Sequence, residues 1–289
     1  MSSDVEFLGL HATDEPGRYG FVVQDHLARL DGQLYGGTAI AVSIAASELV
    51  SEGSAVWMTT QFVATAPADA EVSVLAEVLA SGRRTSQVRV TGTDGAGVVM
   101  FASLGAVGHL RPEGLTGSFE NAPVVSPPEE STPRGGPFGV MLRNAGVELK
   151  PSMLPPHTGF STVVEYREPE VSQHPDPGPG RICMWVRRRD GVPVTRSTVA
   201  FFADMVPLSV AAGLRVVGGG VSLDNTIRLG SFAEPTEWVL IDLRPHLAAG
   251  GYGHGAAHIW DERGHLLATA SQSASMRAFE IGETPWKRD

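Results

Sequence analysis

The stretch GGTAIAVSIAASELV, residues 36–50, is rich in alanine and carries no turn residue after its opening glycines, so it predicts a helix. Its surroundings decide what that helix is for. Strand-like material at Tyr19–Val23 precedes it, and four runs follow: AVWMTTQFVAT (55–65), AEVSVLAEVLASG (70–82), TSQVRVTGTD (85–94) and AGVVMFASLGAVG (96–108). These are β-branched or alternating and are separated by turn residues such as Thr93-Asp94-Gly95. The order is strand, one apolar helix, then a succession of strands.

The second half repeats it. FSTVVEYREPE (160–170) and RICMWVRRRD (181–190) predict strands, and the hairpin-type dipeptide Asp190-Gly191 predicts a further strand over GVPVTRSTVAFF (191–202). A helix over MVPLSVAAGL (205–214) follows Asp204, with Pro207 in its first turn, where a missing N–H costs little. GVSLDNTIRL, TEWVLIDLRPHLA, GHGAAHIWDERG and HLLATASQSASMRAF then predict four strands, the last two joined by Asp261–Gly264. FASLGAVG from Phe101 and TASQSASM from Thr269 share Ala, Ser and Ala at an offset of 269 − 101 = 168, and Gly36 with Asp204 and Val42 with Val210 keep it. This period predicts an internal duplication. Between the halves, residues 111–137 (RPEGLTGSFENAPVVSPPEESTPRGGP) have no apolar period. The predicted organisation is an N-terminal unit over 1–110, a Pro/Gly-rich linker over 111–150 and a C-terminal unit over 151–289.

Composition excludes several classes. Of 289 residues, 42% are hydrophobic and 19% charged, enough apolar surface to close a core. The net charge of −10, without a long Lys/Arg block, argues against a nucleic-acid partner. The single cysteine, Cys183, cannot form an intramolecular disulfide, and MSSDVEF lacks the layout of a signal peptide, so a cytoplasmic location without membrane insertion is expected. His109, His157, His174, His246, His254, His258 and His265 are scattered without zinc-site spacing. GGGV at 218–221 lacks the lysine and helix of a phosphate loop, and no G-x-S-x-G elbow occurs.

RLDGQLYGGTAIAVSIAASE resembles the first helix entry of the type II acyl-CoA thioesterases, a double hot-dog family, and VWMTTQFVATAPAD and RRTSQVRVTGTDGAGVVMFASLGA resemble its next strand and closing hairpin. AFFADMVPL, VSLDNTIRL and LLATASQSASMR resemble the three segments that hold its catalytic residues, so the likeness covers most of the chain outside the linker. The resemblance implies an α+β double hot-dog, two tandem helix-wrapped antiparallel sheets, that hydrolyses acyl-CoA to fatty acid and CoA without a cofactor or metal. It also implies a homo-oligomer, a dimer or tetramer of double hot-dogs. The family's catalytic Asp, Thr or Ser, and Gln fall on Asp204, Ser222 and Gln272, with Ser in place of the commoner Thr and Thr226 as a neighbouring hydroxyl in the same strand.

The residues can be weighed on their own terms. A carboxylate ahead of a helix predicts an ordinary N-cap, held ionised by the helix dipole. Gln272 shares a strand face with Ala270, Ala274 and Met276, where a buried amide needs partners. Converging on one point, the three could hold and deprotonate a water, with helix N-terminal N–H groups facing a thioester oxyanion. The 168-residue period aligns Asp204 with Gly36 and Gln272 with Leu104, and a three-residue length difference aligns Ser222 with Trp57. The first half therefore lacks the trio, and one site per chain is expected, walled by backbone N–H groups at Gly36 and Gly37. Arg187–Arg189, with Arg83 and Arg84, could meet CoA phosphates or be solvated turns. Two other readings remain: a non-catalytic acyl-CoA or acyl-carrier binding protein, and an enoyl-CoA hydratase. The second lacks its histidine, because Ser209 stands five residues after Asp204.

Overall fold

The computed structural model describes residues 3–109, 111, 113–148, 157–173 and 178–280. The expected boundary between linker and C-terminal unit falls partly on 149–156, outside the described residues, as does His174. The first half runs α1 (Ser3–Leu8), β1 (His11–Ala12), β2 (Arg18–Val22), α2 (Gly36–Ser51), β3 (Ser54–Phe62), β4 (Glu71–Ser81), β5 (Thr85–Thr93) and β6 (Val99–Gly108). Next come β7 (Val124–Val125), α3 (Gly136–Asn144), β8 (Val164–Arg167), β9 (Ser172–Gln173), β10 (Ile182–Arg188), α4 (Arg196–Phe202) and α5 (Val206–Leu214). Four long strands close the chain: β11 (Gly218–Leu229), β12 (Val239–Ala249), β13 (Tyr252–Asp261) and β14 (Leu266–Ala278).

Helix α2 is apolar nearly all round, and Gly37 through Ser47 are buried. A helix of that kind is stable only when enclosed. Within the helix, Ser43 donates to Ala39 O (2.8 Å) and Ser47 to Ile44 O (2.8 Å), so these two buried hydroxyls are satisfied locally. The strands enclose it in an antiparallel sheet, and α5 is wrapped in the same way by the second set. The two sets join edge to edge into twelve strands, ordered β1-β2-β4-β5-β6-β3-β11-β14-β13-β12-β10-β8. At the seam, β3 pairs with β11 from Trp57–Arg228 to Gln61–Asp224, and the Thr59 and Thr226 hydroxyls meet at 2.9 Å. This is the α+β double hot-dog that the resemblance implies, with one apolar core running through both halves.

The duplication is written in the irregularities of the sheet. Single-residue bulges fall at Val56, Leu79 and Met100 in the first half and at Leu223, His246 and Leu267 in the second. Each pair is separated by one offset, 223 − 56 = 246 − 79 = 267 − 100 = 167. The 168-residue period of the sequence is thus one residue too long in the sheet, and a one-residue slip exchanges the two faces. Leu104 points outward and is 52% exposed, so it is not the counterpart of inward-facing Gln272. With the corrected offset Gln272 matches Gly105 and Ser222 matches Ala55, not Trp57. The corresponding first-half sites remain without the trio, since Gly37 stands where Asp204 does, and a side chain on Gly105 would run into Met58.

Two further expectations need correction. Residues 196–202 form α4 rather than a strand, because Thr195 caps the segment by accepting from Thr198 N (3.1 Å). Its β-branched residues are buried against α2. Asp190-Gly191 accordingly turns the chain into this helix, while β10 pairs with β8 and β12. The segment between the halves is also not featureless. It carries β7 and α3, and Trp185 donates from Nε1 to Ser126 O (2.8 Å) beneath a small cluster of Trp185, Trp238, Leu240 and Trp260. Arg196–Leu214, spanning α4 and α5, is apolar enough by length and composition to cross a membrane, but 78% of its most apolar window is buried inside the fold.

Candidate active site

The break between α4 and α5 sets the geometry. Residues 203–205 form a turn, and α5 takes Met205, not Asp204, as its N-cap, without a side-chain capping bond. The N-cap reading of Asp204 is therefore wrong, and its carboxylate is free to face sideways. Asn225, wholly buried on β11, donates to Ala203 O (3.4 Å), and Tyr35 donates from its hydroxyl to Asp204 O (3.3 Å). Tyr35 is itself stacked on Phe160, with ring centroids 4.4 Å apart. The turn is thus held from both halves.

The structure brings the three expected side chains together. Ser222 donates from Oγ to Asp204 Oδ1 (3.0 Å), and Gln272 donates from Nε2 to the same oxygen and to Ser222 Oγ (2.7 Å). Gln272 Oε1 accepts from Val206 N (3.3 Å), at the first turn of α5. That N–H has no partner within the helix, so it fixes which end of the amide is oxygen and aims the NH2 group at the carboxylate. Thr226, the alternative hydroxyl, is used at the β3–β11 seam. Ser209, in the hydratase position, donates to Val206 O (2.8 Å) within α5.

The other carboxylate oxygen faces the start of α2 in the opposite half. A Cβ on Gly36 would overlap Asp204 Oδ2, and Gly37 N–H donates to the carboxylate. A Cβ on Gly37 would meet the Phe201 carbonyl and the Tyr35 ring, so this glycine also serves the close approach of α2 to α4. Burial pushes the Asp204 pKa up to about 6, against the hydrogen bonds of Ser222 and Gln272, the charge of Arg29 and the Gly37 N–H, which pull it down. A carboxylate with that pKa is ionised at neutral pH yet basic enough to accept a proton.

Asp204 and Ser222 open on a cavity of about 1010 Å³, lined mostly by apolar side chains. Arg29 and Arg277 line it as well; neither was singled out in the sequence, since isolated surface arginines carry no pattern. Arg83, Arg84 and Arg187–Arg189 do not line it. Arg187 is engaged by Glu165 and Glu237 over the Trp238 ring, and Arg188 is buried against Phe7 and paired with Asp190. Among the described residues, no group of three or more His, Cys, Asp or Glu side chains is placed to hold a metal.

Two helix-wrapped sheets in tandem, with a carboxylate, a hydroxyl and an amide meeting above an apolar cavity, define a double hot-dog of the thioester-hydrolase class. The models of the acyl-CoA thioesterase N-terminal and C-terminal domains match residues 26–106 and 141–276. The chain belongs to the acyl-CoA thioesterase family and is a thioester hydrolase. A solved structure described as a candidate thioesterase, from Novosphingobium aromaticivorans, is 28% identical, with a TM-score of 0.76 over 93% of this chain and 98% of that one. A hot dog fold protein from Alicyclobacillus acidocaldarius (20% identity, TM-score 0.76, 96% and 99% covered) shares the fold. So does acyl-CoA thioesterase II TesB2 from Mycobacterium marinum (18%, 0.70, 96% and 99%). Among curated proteins, none matches the sequence.

Proposed function

We propose that the protein hydrolyses acyl-CoA to a free fatty acid and CoA through one site per chain, with Asp204 as the base that activates water. The observation that carries this reading is the contact of Ser222 and Gln272 with one oxygen of a carboxylate whose pKa is about 6, at the edge of an apolar cavity. Asp204 takes a proton from water as its oxygen attacks the thioester carbonyl. The new C–O bond forms, the C–S bond breaks, and the proton passes to the departing CoA sulfur. Ser222 and Gln272 fix the carboxylate oxygen that faces them, the Gly37 N–H holds the carboxylate from the α2 side, and the Gly36 N–H, at the positive end of α2 and on the cavity wall, faces the developing negative charge. No cofactor enters, because the thioester is already activated and the protein need supply only position and electrostatics.

We read the chain as hot-dog units over 1–110 and 151–289 joined by 111–150, working as a cytoplasmic homo-oligomer. The exposed outward side chains of Val56, Leu104 and Leu223 on the central strands support assembly, which light scattering would test. Thiol release from a panel of acyl-CoAs, run beside calorimetric binding, tests the activity. Turnover supports the enzyme. Binding without thiol release would replace it with the acyl-CoA-binding reading.

A further inference from the structure

Helix α3 lies in the segment between the repeats, and the 167-residue correspondence gives it no first-half counterpart. It packs against α5 and β10, and Phe138, Met141 and Leu142 line the same cavity as Asp204 and Ser222. The helix is two-sided: Arg143 and Asn144 are exposed, whereas Met141 and Leu142 are 2% and 5% exposed.

Its position is fixed at both ends. Gly135 and Gly136 enter it with φ of 88° and 57°, and Gly139 lies so close to Arg134 O that a Cβ would overlap it. Arg134 donates to both carboxylate oxygens of Glu170 (2.8 Å each). Arg143 donates to Arg134 O (3.0 Å) and pairs with Glu168. Glu168 follows β8 directly and Glu170 stands two residues further on, and β8 carries Tyr166, whose hydroxyl reaches Met205 Sδ (3.4 Å) beside Asp204. An anchored helix gives the cavity a wall of fixed depth.

We infer that α3 is the specificity-determining wall of the acyl site, with Met141 and Leu142 setting the longest aliphatic chain admitted. The wall offers the substrate only Phe, Met and Leu side chains, so it selects acyl groups without polar substituents. This assignment rests on the acyl-CoA thioesterase reading above. Each methylene denied its place in the cavity should cost about fourfold in kcat/KM.

The test is the chain-length profile of kcat/KM, from butyryl-CoA to palmitoyl-CoA, for the full-length wild type, Leu142→Trp and Met141→Ala. Leu142→Trp should shift the optimum to shorter chains, losing roughly tenfold or more on the longest good substrate, a cost of two or more methylenes. Its loss on butyryl-CoA should be smaller than its loss on the longest good substrate, so that the profile changes shape rather than scale. Met141→Ala should shift the optimum the other way, and it keeps the question open to decision should the tryptophan variant fail to fold. Profiles scaled uniformly or unchanged in the folded variants would overturn the role of α3 while leaving the thioesterase reading intact. A wild type that hydrolyses no acyl-CoA would overturn the thioesterase reading itself, and this assignment with it.

Discussion

A carboxyl that burial holds at about 6 makes the site sensitive to mild acid. The native pKa lies above the unfolded value, so protonated Asp204 adds stability below about pH 4 that is lost as pH rises through 6, while the ionised form is the proposed base. Hydrolysis should therefore fall on acidification, with an apparent pKa near 6 in the kcat/KM profile. Gln272→Ala removes an N–H that favours the charged carboxylate, and the acid limb should move to higher pH; a lower or unmoved limb would contradict this role. Gly36→Ala drives a methyl into Asp204 Oδ2 and should cut kcat more than tenfold while the chain still folds, as circular dichroism would show. At this scale the sequence went far: Asp204, Ser222 and Gln272 were legible through three motif segments. The partners that orient them were not. Asn225 and Tyr35 act through single bonds to the backbone of a turn, and a bond of that kind leaves no spacing to read.

At the scale of elements, every long strand of the second half and both main helices were legible from periodicity and turn residues. The failures share a cause: local pattern was overruled by packing. Residues 196–202 look strand-like because Thr198 and Val199 are β-branched, yet a Thr cap and a buried face make them helix. The Pro- and Gly-rich text around 111–137 hid α3, whose apolar face begins at its end. The arginines beside Asp190 gave a charge run that reads as a solvated tip before it reads as a phosphate site. Two of the three instead brace the β10 end, Arg188 with its guanidinium 4.2 Å from the Phe7 ring centroid. Arg188→Ala should cost about 2 kcal/mol and lower Tm by roughly 4 to 8 °C, with KM for acyl-CoA unchanged. A raised KM at unchanged Tm would restore the phosphate-binding reading.

For the whole molecule, the duplicated halves share one sheet and one core. The sequence disclosed the duplication but misplaced its register by a residue, because matching Ala and Ser identities carry little weight beside the bulges, which pairing alone reveals. A sheet continuous through Thr59 and Thr226 predicts a single cooperative unfolding transition in calorimetry; two separate transitions would mean that the halves are independent. The asymmetry between halves, Asp204, Ser222 and Gln272 against Gly37, Ala55 and Gly105, supports the proposal of one catalytic centre per chain. That claim is tested most directly by the rate of thiol release from acyl-CoA by the wild type and by Asp204→Asn at equal concentration. The account predicts turnover by the wild type and a loss of about a hundredfold or more in the variant, as removal of a general base requires. Equal rates for the two would contradict it.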